Sequence, residues 1–128
     1  MRYYFCKTLT VSFDDAIDRA IEALKVEGFG ILTEIDVRAK MREKLGEEFR
    51  NYRILGACNP PFAFQALQIE DKIGTLLPCN VIVQELAPGK VEVAAIDPAV
   101  SMLAVDNPAL RDIVTQVRGK LQRVIDSL

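Results

Sequence analysis

The rhythm of apolar and polar positions changes repeatedly along this chain, and each change marks an element. Tyr3 to Val11 is rich in aromatic and β-branched residues and predicts a first strand. Ser12 follows as a helix N-cap, with Asp14 and Asp15 in the first turn, where the positive end of the helix dipole favours them. Phe13, Ile17, Ala20, Ile21 and Leu24 then recur at helical spacing, and Gly28 is placed to end that helix in a left-handed cap. From Phe29 to Val37 the period drops to two. Phe29, Ile31, Thr33, Ile35 and Val37 share one face of a strand, and Leu32, Glu34 and Asp36 share the other. A short helix is predicted from Arg38 to Leu45, with Asp36 or Val37 at its start, Gly46 at its end and Val37, Met41 and Leu45 as its buried stripe. Phe49 to Leu55 reads as a further strand.

Asparagine or aspartate precedes proline at Asn59-Pro60, Asp97-Pro98 and Asn107-Pro108. An Asx side chain accepts from the free amides of a helix start, and proline tolerates the first helical position because no amide is needed there. Each pair therefore predicts a helix: Pro60 to Ile69, Pro98 to Val105 and Pro108 to Leu128. Between the first two lies a hairpin, with strands over Leu76–Leu86 and Val91–Ile96 joined by Ala87-Pro88-Gly89-Lys90. The last helix has a broad apolar face that includes Leu110, Ile113, Val117, Leu121 and Val124. The order β-α-β-α-β-α-β-β-α-α predicts an α+β fold: an antiparallel or mixed sheet with its helices mainly on one face. No linker or repeat divides the chain, so residues 1–128 read as a single domain.

Composition narrows the chemistry more than the fold. Half of the residues are hydrophobic and the formal net charge is −2. Arg38, Lys40, Arg42 and Lys44 are interleaved with Glu43, Glu47 and Glu48, so the basic footprint of a nucleic-acid binder is missing. No apolar stretch approaches the ~18 residues of a membrane span, and residues 1–11 are not organised as a signal peptide, which makes the cytoplasm the expected compartment. Histidine is absent, removing Ser-His-Asp and Cys-His catalysis and histidine-based metal sites. Three dispersed cysteines without a CxxC pair predict free thiols and no metal site, and no cofactor is expected.

Two of those cysteines are each followed by asparagine: Cys58-Asn59 before Pro60, and Cys79-Asn80 after Pro78. Cys58 stands at a predicted helix start, where backbone amides can stabilise a thiolate or hold an anion. Cysteine is equally at home as a small buried apolar residue. Cys79 alternates with Leu77, Val81 and Val83 and reads as core. Asn80 points the other way and needs partners if buried. Glu34 and Asp36 share a strand face, as a carboxylate pair suited to acid-base or cation chemistry or as a solvated surface. The candidate ligand-binding residues are therefore Asn59, Asn80, Glu34 and Asp36, with Cys58 and Cys79 as the candidate reactive thiols.

Glu27-Gly28-Phe29-Gly30-Ile31-Leu32-Thr33-Glu34-Ile35-Asp36-Val37, Tyr52-Arg53-Ile54-Leu55-Gly56-Ala57-Cys58-Asn59-Pro60, Leu76-Leu77-Pro78-Cys79-Asn80-Val81 and Ala95-Ile96-Asp97-Pro98, in that order, resemble the signature of a prokaryotic family, domain of unknown function 302. The resemblance spans most of Phe13 to Met102. It implies a small α+β domain, often a homodimer, with no agreed reaction, substrate or cofactor. The favoured expectation is a homodimeric small-ligand-binding module with its site near the two Cys-Asn motifs. Its rivals are a thiol redox enzyme or sensor using Cys58 and Cys79, and a protein-interaction domain without a ligand. Both thiols are expected to be buried, because their neighbours Ala57, Leu77 and Val81 are apolar.

Overall fold

The computed structural model describes residues 2–128. The chain forms β1 (Tyr4–Leu9), α1 (Phe13–Val26), β2 (Gly30–Asp36), α2 (Val37–Leu45), β3 (Tyr52–Cys58), α3 (Pro60–Ile69), β4 (Cys79–Ala87), β5 (Lys90–Ile96), α4 (Pro98–Ser101) and α5 (Arg111–Asp126). Short 3₁₀ turns at Asp71–Leu76 and Pro108–Leu110 complete it. The five strands make one antiparallel sheet in the order β1-β5-β4-β3-β2. This is the α+β architecture that the sequence pattern implies.

One face of the sheet is buried beneath α1 and α5. Period-two alternation delivers Leu55 and Ala57 from β3, Val81 and Val83 from β4, and Val91, Val93 and Ala95 from β5 to that face, each 0–1% exposed. Against them α1 packs Phe13, Ala16, Ile17, Ala20 and Leu24, and α5 packs Ile113, Val117, Leu121, Val124 and Ile125. Each large aliphatic side chain buried this way contributes about 1.5–3 kcal/mol. α1 begins where Ser12 Oγ accepts from the Asp15 amide at 3.2 Å and ends at Gly28, whose φ of +86° only glycine adopts freely. Asp97 is buried, accepts from the Ala99 amide to open α4, and receives Arg118 Nε from α5 at 3.1 and 3.2 Å. Every buried hydrophobic strand residue lies on this face. The opposite face carries half-buried Tyr4, Ile54, Ile82, Ala94 and Ile96.

Several local expectations need correction. The alternation of β2 breaks at Leu32: Ile31 opposes Ala57 and Thr33 opposes Gly56, so one residue is extra and the strand bulges. After the bulge the faces exchange, and Ile31 no longer shares a face with Thr33 and Ile35. α2 forms as expected between Asp36 and Gly46, but none of Val37, Met41 and Leu45 is fully buried, and Leu45 is 68% exposed. The helix leaves the end of an edge strand and has no second layer to cover it. β3 starts at Tyr52 rather than Phe49, and β4 starts at Cys79 because the preceding residues form a 3₁₀ turn. The second Asx-Pro helix stops at Ser101. The third pair opens a 3₁₀ turn that runs into α5 only at Arg111.

Candidate functional site

At the end of the sheet where β3 stops and β4 begins, the two layers do not close. The charge-free run from Ile54 to Ile69 supplies α3 with apolar residues on every side, yet only Ala66 of that helix is buried. A gap of about 300 Å3 remains between α3, the start of α5, α4 and the strand ends. Phe62 and Leu67 come from α3, Met102 follows α4, and Val114 and Val117 come from α5. The bulge in β2 brings Leu32 to the mouth, where it is 65% exposed. A regular strand would have alternated this side chain away, and re-aiming a side chain beside a cleft is a recurring use of bulges.

Cys58, Asn59 and Cys79 all line this cavity. Cys79 lies directly across the ladder from Ala57, the residue before Cys58. Both thiols are half-buried and unpaired, more accessible than their apolar neighbours suggest. Burial raises the Cys58 thiol above its ordinary range. Burial, and after it the nearby Cys58 sulfur, pushes the Cys79 thiol from 9.0 up to about 11. Desolvation favours the neutral thiol at both positions, and the two sulfurs act as weakly polar wall.

Asn59 departs from its expected role. Its side chain does not cap α3. It is 8% exposed, and its Nδ2 donates 3.2 Å across to the carbonyl of Glu27, just past the end of α1. The fit is close: a Cβ on Gly28 would stand 3.1 Å from Asn59 Nδ2. Pro60 and Pro61 remove two of the amides a helix start normally offers, so the anion site anticipated there is largely dismantled.

The other candidates lie apart from the cavity lining. After the bulge, Glu34 and Asp36 fall opposite Leu55 and Arg53 on the core-facing side of the sheet edge. Arg53 answers both, donating to Glu34 Oε1 at 2.6 Å and approaching Asp36 at 3.7 Å, with its guanidinium 5.7 Å from the Phe13 ring centre. Asp36 also accepts from the Ala39 amide and caps α2. Their carboxylates are thus occupied in joining β2, β3 and α2. Asn80 is exposed on the opposite face of the sheet, beside Ile82 and Gln84 in a separate shallow cleft. Among the described residues no group of three or more His, Cys, Asp or Glu side chains could hold a metal ion. The main wall residues Phe29, Leu32, Phe62 and Met102 were not singled out from the sequence. The signal for Phe62 was the long uncharged run through a helix that one buried face cannot account for; Phe29, Leu32 and Met102 lie outside that run and carried no such signal.

A two-layer α+β domain with one uncharged cavity at the strand ends is the class that fold and site define. The chain belongs to the family "Domain of unknown function DUF302", whose model matches residues 5–128. A crystal structure of an uncharacterised conserved DUF302 protein from Bacillus stearothermophilus is similar over 98% of both chains, with 28% identity and a TM-score of 0.89. No curated protein matches the chain.

Proposed function

We propose that this chain is a binding module for a small apolar ligand, acting as a homodimer in the cytoplasm. The observation that carries this reading is the cavity between α3 and α5. Its volume of about 300 Å3 falls at the lower end of the range typical of small-molecule sites, and among the described residues its lining contains no charged side chain. Cys58, Asn59 and Cys79, with the Met102 thioether, supply the polar or weakly polar atoms of the lining side chains, which gives Cys58, Asn59 and Cys79 a role without invoking turnover and leaves Asn80 outside it. The redox alternative has less support, because raised thiol pKa values slow attack by either sulfur. The homodimer draws support from the half-buried apolar side chains on the sheet face opposite the helices.

Titration with the neutral fluorophore N-phenyl-1-naphthylamine tests the pocket. Saturable binding at one site per chain is expected, and Ala63→Phe, which fills the cavity from the partly exposed wall of α3, is expected to weaken it at least tenfold. Binding that is absent, or indifferent to this substitution, overturns the reading.

A further inference from the structure

Resting on that reading, we propose that the pocket is selective for charge: it takes neutral molecules with a hydrocarbon or aromatic body and at most one hydrogen-bonding group, such as an alcohol or ketone, and rejects carboxylates and phosphates of the same shape. Three features converge. Among the described residues, no Lys or Arg lines the cavity. The helix start at its edge begins Asn59-Pro60-Pro61, so two amides that would cradle an anion do not exist. Asn59, the one amide side chain in the wall, already has an N–H engaged with Glu27.

The adjoining cleft shares Met102, Leu110 and Val114 with the cavity and holds Arg111, but Asp106 lines the same cleft and offsets its field. An anionic head in the apolar cavity would lose its hydration without a counter-charge, a penalty that persists even after relaxation. A hydroxyl or carbonyl loses far less and can be met by Asn59 or by a thiol.

Competition against bound N-phenyl-1-naphthylamine at pH 7.5 separates the possibilities, using 1-decanol and decanoate as probes below their aggregation limits. Decanol is expected to displace the fluorophore at a concentration at least tenfold lower than decanoate. Some of that preference belongs to any apolar surface, so Leu67→Arg is the decisive variant. Leu67 lines the cavity but is 43% exposed, so an arginine can be accommodated there with its head near the mouth. The variant is expected to narrow the decanol-to-decanoate ratio at least tenfold. A ratio unchanged by Leu67→Arg, or decanoate matching decanol on the unmodified protein, overturns the selectivity while leaving the pocket intact as a binding site. Failure of the fluorophore itself to bind overturns both.

Discussion

Asn59 joins two parts of the fold through a donor, and that polarity is testable. A capping side chain needs only an acceptor, so Asn59→Asp would be harmless if Asn59 capped α3. In the structure the side chain donates to the Glu27 carbonyl. Asn59→Ala is therefore expected to cost about 1–2 kcal/mol, and Asn59→Asp more, because a carboxylate would face a carbonyl oxygen in a buried position. Urea denaturation of both variants reads the order, and an aspartate variant as stable as the parent would restore the capping role. The Cys79 thiol gives a second residue-scale expectation. The unfolded thiol ionises near 9.0 and the folded one near 11, so the unfolded state loses its proton first. Cys79's contribution to stability is then complete below pH 9 and declines as pH rises through 11, by on the order of 3 kcal/mol. Cys79→Ala is expected to flatten that part of the stability-pH curve, and an unchanged slope would show that burial does not hold this thiol protonated. The sequence made Cys58, Asn59 and Cys79 visible as a group, since a Cys-Asn pair in apolar surroundings is unusual chemistry. It did not reveal the direction of the Asn59 hydrogen bond, which depends on Glu27 being brought next to it from a distant part of the chain.

Helices and strands were legible where local chemistry alone decides them. Ser12, Gly28, Asp36 and Gly46 delimit α1 and α2 as their side chains and backbone freedom require. The bulge at Leu32 was not legible, because one inserted residue changes no composition and leaves the alternation looking intact on paper. It nevertheless moves Glu34 and Asp36 to the face where Arg53 meets them, and Leu32 to the cavity mouth. α2 shows what remains when burial is withdrawn: a helix with no buried residue relies on its ends and on surface pairs such as Arg42–Glu48. Asp36→Ala is expected to loosen this helix by about 1 kcal/mol, which corresponds to roughly fivefold faster amide exchange over Ala39–Met41. Hydrogen exchange resolved by residue checks this. If α2 exchanges as slowly as before, its stability comes from elsewhere.

At the scale of the molecule, a two-layer α+β domain could be read from the element order, but the strand sequence β1-β5-β4-β3-β2 could not, because periodicity carries no information about which strands are neighbours. The single buried face leaves the reverse of the sheet to solvent or to a second copy of the chain. Light scattering at micromolar concentration is expected to give twice 14.3 kDa. Ile82→Lys, at the centre of the uncovered face, is expected to return the mass to that of one chain without unfolding it. A monomeric parent protein would remove the homodimer from the proposal.

That strand order also sets a timetable for synthesis. β1 and β2 are consecutive in the chain, yet they form the two outer edges of the sheet, and the partner of Leu9 is Val91. At typical elongation rates β5 leaves the ribosome roughly four to sixteen seconds after β1. For that interval Tyr4, Phe5 and Leu9 lack the ladder partner they have in the fold, while β2 can pair as soon as β3 has emerged. Among the five strands of this sheet, β1 is made before the others and waits longest for its neighbour, so chaperone capture during synthesis should concentrate there.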